Sequence, residues 1–195
     1  MHRDFQPEPI NLSATSHLVL GMVRLGFSSG YAIKKIADQS TQNFWPTSLA
    51  LIYPELARLE KAGLLNRRND PHGGRARSAY TITEQGEAAL SAWLRSERVA
   101  AVQIRDEAML KLFMADALAE PSEQLEFIRR LRERNGEKGR ALREIIVPQA
   151  EAFESQGIRY VAVAARFSAD LLSFAEKWLG RLEQELETID RDSSG

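Results

Sequence analysis

One juxtaposition narrows what this chain can become more than any other. The run Tyr53-Pro54-Glu55-Leu56-Ala57-Arg58-Leu59-Glu60-Lys61-Ala62-Gly63 reads as an amphipathic helix with a glycine stop. It leads into Leu64 to Asn69 and Arg77 to Ile82, two strand-like segments joined by Pro71-His72-Gly73-Gly74. A helix that ends on glycine and runs straight into a hairpin builds a winged helix-turn-helix.

The residues before it supply the other helices of such a domain. Leu18, Val19, Met22, Val23 and Leu25 share one side of a helix that Ser13 can cap and Gly26 ends. Ser28-Ser29-Gly30 makes a turn, and Tyr31, Ile33, Ile36 and Ala37 give a short second helix bearing Lys34 and Lys35. Phe44-Trp45-Pro46 breaks it. Thr47 or Ser48 then caps the third helix, whose Ile52, Leu56 and Leu59 fall on one stripe. Pro54 must lie in the first turns of that helix or bend it. Thr83 caps a fourth helix carrying Ala88, Ala89, Leu90, Trp93 and Leu94. Residues 1–11, with Pro7 and Pro9, read as a flexible arm, which bounds the winged-helix domain at 12–96.

Charge is distributed unevenly between the halves. The net charge of -1 resolves into 11 basic against 8 acidic residues up to Ser96, and 15 against 19 beyond it. The basic surplus is concentrated in the hairpin, where Arg67, Arg68, Arg75 and Arg77 face only Asp70. Such a cluster suits phosphate contact, although it also describes a solvated arginine-rich turn. With no cysteine, the chain has no disulfide framework and no thiolate metal site or nucleophile. No apolar run approaches the ~20 residues of a membrane span, and no secretory leader opens the chain, so a cytoplasmic protein is expected.

Residues 97–191 form a second, helical domain, with a short disordered tail at 192–195. Ile104 to Ala119, bearing Phe113, reads as one helix, and Pro121 opens another with Leu125, Ile128 and Leu131 on its inner face. The charged stretch Arg132 to Arg140 reads as a solvated arm. In the last helix Tyr160, Ala164, Phe167, Leu171, Phe174 and Trp178 step by fours and threes, and Leu182, Leu186 and Ile189 extend the stripe. About 30 helical residues span about 45 Å at ~1.5 Å each, too long for one small domain to cover. The stripe therefore needs a partner, and a homodimer is expected. The fold class is mainly α: three helices and a wing, then a helical dimerisation domain.

These segments resemble the PadR-like transcriptional regulators. The resemblance rests on Ser29-Gly30-Tyr31, Phe44-Trp45-Pro46, Ile52-Tyr53-Pro54-Glu55-Leu56 with Arg58-Leu59-Glu60 and Gly63-Leu64, and Gly74-Arg75 with Arg77, Tyr80, Ile82-Thr83-Glu84 and Gly86. It covers residues 12–95 most strongly. It implies that the third helix lies in the major groove of double-stranded DNA and that the hairpin reaches the adjacent backbone or minor groove. The implied DNA contacts are Tyr31, Lys34, Lys35, Thr47, Ser48, Tyr53, Arg67, Arg68, Arg75 and Arg77. Dimerisation falls to Phe113, Tyr160, Phe167, Leu171, Phe174, Trp178 and Leu182. The chain departs from many relatives at Leu49-Ala50-Leu51, where a hydroxyl is common, and at Ala76, where a proline is common.

Several residues keep a structural alternative. Tyr53 can touch DNA or pack on the second helix, Arg58 can simply pair with Glu55 or Glu60, and Tyr80 reads as an anchor for the wing. The aromatics of the second domain can be packed core, or line a pocket for a small aromatic effector, as in some relatives. His2, His17 and His72 are isolated, and no phosphate loop, dinucleotide fingerprint or metal motif occurs, so no enzyme, metal or cofactor is expected. A repressor is the expectation from the family. The rival reading is a winged-helix interaction or ligand-sequestering dimer that no longer binds DNA.

Overall fold

The computed structural model describes residues 11–70 and 77–193, with the side chains at 70, 77 and 190–193 left aside. The expected arm before Asn11, the hairpin tip with Arg75, and the side chain of Arg77 lie outside the described residues. The chain divides into two compact units, Met1–Val99 and Ala100–Gly195.

The first unit runs α1 (Ala14–Arg24), α2 (Gly30–Gln39), α3 (Leu49–Lys61), β1 (Leu65–Asp70), β2 (Arg77–Ile82) and α4 (Glu84–Arg95). Polar caps start its helices. Ser13 and Ser16 form a reciprocal capping box on α1, Ser29 accepts from the Ala32 amide, and Thr83 accepts from the Gly86 amide. Glycines at positive φ, Gly26 and Gly63, follow α1 and α3, where only a residue without Cβ turns the chain cheaply.

Val19 and Leu20 from α1, Ile33 from α2, and Ile52, Leu56 and Leu59 from α3 are fully buried around one core, joined by Leu65 and Tyr80 of the hairpin. Each is worth roughly 2 kcal/mol of burial. Pro54 lies in the second turn of α3, and the carbonyl its missing N–H leaves free belongs to exposed Ala50, where water can take the bond. His17 is buried against Trp93 of α4, rings stacked 4.6 Å apart, with its Nδ1 2.8 Å from the Ser13 carbonyl oxygen. That partner is an acceptor, so Nδ1 carries the proton. Burial lowers the His17 pKa below 6.5, against the raising effect of the Ser13 bond.

The hairpin pairs antiparallel from Leu65↔Ile82 to Asp70↔Arg77. Its base is fixed at several points. The Tyr80 amide donates to the Ser28 carbonyl at 2.7 Å, the Thr83 amide to the Leu64 carbonyl at 3.1 Å, and the Thr83 hydroxyl to the Gly63 carbonyl at 2.8 Å.

The second unit comprises α5 (Glu107–Phe113), α6 (Pro121–Ala141), α7 (Val147–Glu151) and α8 (Tyr160–Ser193), with a π-helical turn at Leu142–Ile146 joining α6 to α7. The helix expected over 104–119 is shorter: Asp106 caps it by accepting from the Ala108 and Met109 amides, and a 3-10 turn at Ala115–Ala117 follows. The stretch 132–140, expected as a solvated arm, instead lies within α6: Glu133, Arg134, Glu137, Lys138 and Arg140 are exposed as expected, but its other side packs on α8. Gly136 and Gly139 are buried, their missing side chains leaving room for Glu176 and Leu172 of α8. The buried Glu183 carboxylate is held by Arg129, at 2.6 Å, and by Arg132. Arg129 also bridges to Glu187 at 2.5 Å. Charged side chains that looked solvated in sequence therefore join the helices. Below them Ile128, Leu131 and Leu179 form a small core. Among the described residues no helix is long and apolar enough to cross a membrane, and no cluster of side chains could hold a metal ion.

Candidate nucleic-acid interface

Helix α3 buries Ile52, Leu56 and Leu59 and turns its other side outward. Leu49, Ala50, Leu51, Tyr53, Pro54 and Ala57 are exposed. Tyr53 is half exposed at 52%, and its ring lies directly over Gly30, where an added Cβ would come within 2.7 Å of Cε1. Of the two alternatives for Tyr53, the packing one is seen: part of the ring lies on the start of α2, while about half of the residue stays open. Tyr31 follows Gly30 and is 67% exposed.

The basic candidates sort into several kinds. Lys34 is paired with Asp38 one turn away. Lys35 is exposed and has no ion-pair partner among the described residues. Arg67 donates from Nε to the Ser78 hydroxyl at 2.8 Å, while Arg68, next along β1, alternates to the opposite face of the ribbon. Arg67 and Tyr53 both act electrostatically on buried Tyr80, whose pKa is raised chiefly by burial. Tyr80 is only 7% exposed and anchors the wing.

Two hydroxyl candidates part company. The Thr47 hydroxyl is turned in from solvent, whereas Ser48 is exposed and forms the N-cap of α3 without a capping bond from its side chain. Arg58 is structural. It binds Glu55 through Nε and Nη2, the latter at 3.0 Å, and reaches the Ser16 hydroxyl at 2.5 Å and the Asn11 carbonyl at 3.3 Å. It thereby ties α3 to the start of α1.

Residues 19–92 match the model of the transcriptional regulator PadR-like family. Over this domain the chain is similar to the PadR-like family. It is a family of transcriptional regulators, not of enzymes. The negative transcriptional regulator PadR of Bacillus subtilis is 31% identical over 104 residues, which span 53% of this chain and 57% of that relative. Two solved structures of B. subtilis PadR have the same fold. The complex with operator DNA aligns with a TM-score of 0.73 at 21% identity, covering 89% of this chain and 99% of that one. The complex with p-coumaric acid aligns at 0.67 and 22%, covering 88% and 94%.

In the second unit α8 has two faces. Ala162, Ala165 and Ala169 are buried against Val147 and Ala150, and Leu179 lies on the same side farther along. On the opposite side Tyr160 (83% exposed), Val163, Phe167, Leu171 and Phe174 (62%) make an apolar stripe open to solvent. Trp178 and Leu182 instead pack within the protomer, on the core of Ile128, Leu131 and Leu179. Phe113 is exposed, together with Met109, Leu110 and Met114 of the same region. Val163, three residues after Tyr160 and four before Phe167, belongs to the α8 stripe in place of the expected Ala164, which is half-buried.

Proposed function

We propose that this PadR-like protein is a cytoplasmic transcriptional repressor that binds a pseudo-palindromic DNA operator as a homodimer. What carries the reading is the coincidence of the family match with the open face of α3. The matched residues fold into a winged helix whose third helix leaves Tyr53 exposed over Gly30, next to exposed Tyr31, and whose hairpin carries Arg67 and Arg68. A helix so placed suits the major groove, and Lys35, Ser48, Arg67 and Arg68 suit the phosphates around it. Arg75 and Arg77 extend that role by resemblance. B. subtilis PadR, a negative transcriptional regulator also solved in complex with operator DNA, supports the same direction.

The second unit supplies the pairing. The stripe Tyr160, Val163, Phe167, Leu171 and Phe174 is a large exposed apolar surface of the kind that marks a protein interface, and a second copy presents the same stripe in two-fold symmetry. The p-coumaric acid complex makes a small phenolic acid the first effector to try, in a site closed by aromatics of two copies.

Fluorescence anisotropy on the chain's own upstream DNA against scrambled DNA, with light scattering for mass, tests both halves. A dimer preferring the upstream duplex by ~10³ or more is expected. Arg68→Ala should weaken binding to all duplexes and reduce the salt slope by about 1. Phe174→Glu should yield monomers. Indifference to DNA at low salt would leave an interaction scaffold instead.

A further inference from the structure

Between Leu49 and Leu59, α3 presents solvent with a surface that has almost nothing to hydrogen-bond with. Of its six exposed residues there, only Tyr53 has a polar side-chain atom. The two charged side chains of the stretch, Glu55 and Arg58, are engaged with each other, and Arg58 also with Ser16. Lys61 comes only in the last turn. Direct reading of guanine, adenine or cytosine edges calls for Arg, Lys, Asn, Gln or a carboxylate aimed at the bases. None is available on this part of the helix.

An apolar surface can read the one apolar group that the major groove displays, the C5 methyl of thymine. Resting on the DNA-binding reading above, we propose that α3 selects its half-site through thymine methyl groups, with Leu49, Leu51 and Tyr53 as the specificity-determining residues. Leu51 is 53% exposed and Leu49 38%, so both have area to lose on contact. Phosphate binding by Lys35, Arg67 and Arg68 positions the helix without adding sequence information. Leu49-Ala50-Leu51, which departs from relatives by lacking a hydroxyl, is on this account the reading surface rather than a defect in it.

The test uses the full chain. Duplexes are selected from a random library by binding, and each thymine of the selected site is replaced in turn by deoxyuridine. That change removes the methyl from the major groove and leaves base pairing and the minor groove as they were. At two or more positions of each half-site, affinity should fall about fourfold per methyl, the equivalent of ~0.8 kcal/mol. In Leu49→Ala or Leu51→Ala, both exposed and checked for folding by circular dichroism, at least one of those positions should become indifferent to the change. A selected site bound specifically but insensitive to deoxyuridine overturns the inference and leaves the regulator reading intact. So do sensitivities that neither variant alters. A library that yields no enriched sequence overturns the DNA-binding reading, and this inference with it.

Discussion

Replacing Gly86 by Ala isolates one close contact on which the winged helix is built. Gly86 sits in the first turn of α4, where alanine would ordinarily stabilise a helix by about 1 kcal/mol. Here a Cβ would run into the carbonyl oxygen of Leu64 and lie 2.8 Å from Ile82 Cγ1, against an optimum of ~3.5–4.0 Å. The Leu64 carbonyl cannot simply retreat, because it accepts the Thr83 amide at 3.1 Å, and Thr83 is bound to Gly63 and caps α4. Overpacking of this kind costs about 1–3 kcal/mol. Moving the carbonyl away also weakens a hydrogen bond and a cap, about 1 kcal/mol each. After the helix gain is subtracted, Gly86→Ala should lose about 3 kcal/mol. That lowers the melting temperature of the first unit by more than ~10 °C. Thermal circular dichroism reads the midpoint. Hydrogen exchange should place the loss in β1, β2 and α4, with α6 and α8 as internal controls. An unchanged or higher midpoint would mean that α4 can slide on the hairpin, and would refute the account of the fixed wing base.

Other perturbations follow from neighbouring features. Gly30→Ala meets a ring that can turn rather than a pinned carbonyl, so circular dichroism should show the fold retained within about 1 kcal/mol, while anisotropy shows DNA affinity changed as Tyr53 is displaced. His17 has its pKa lowered by burial, so the unfolded chain binds the proton more readily. Stability of the first unit should then be flat above the mid-sixes in pH and fall as pH drops through that range, and His17→Phe should flatten the drop in urea titrations. Glu183→Gln, which removes the charge held by Arg129 and Arg132, should destabilise the second unit by about 1–2 kcal/mol in urea unfolding.

The winged helix was legible because its signals are local. Ser13 and Thr83 announce helix starts, Gly63 announces a stop, and the 52, 56, 59 stripe fixes which side of α3 is buried. Arg58 was read correctly as a structural residue for the same reason, since Glu55 lies one turn away, but its bond to Ser16 joins positions 42 apart and leaves no local mark. The same limit explains the misread stretch at 132–140. Its arginines and glycines look solvated until α8 is laid alongside, when Glu183 accounts for Arg132 and Leu172 for Gly139. At the candidate interface, residue types suggested which side chains could reach DNA, but not that Lys34 is paired with Asp38 or that the Thr47 hydroxyl is turned in.

The two faces of α8 divide labour along a single rod. Its alanine side is crowded against α7 and the preceding π-helical turn, so substitutions there disturb the protomer itself. Its aromatic side is far more exposed, so changes at Tyr160, Leu171 or Phe174 should disturb the protomer's fold less. On the proposed pairing through this stripe, duplicated genes can drift apart in mating preference while every copy remains a competent protomer. A cell carrying several such proteins could insulate them from one another by altering a handful of rings.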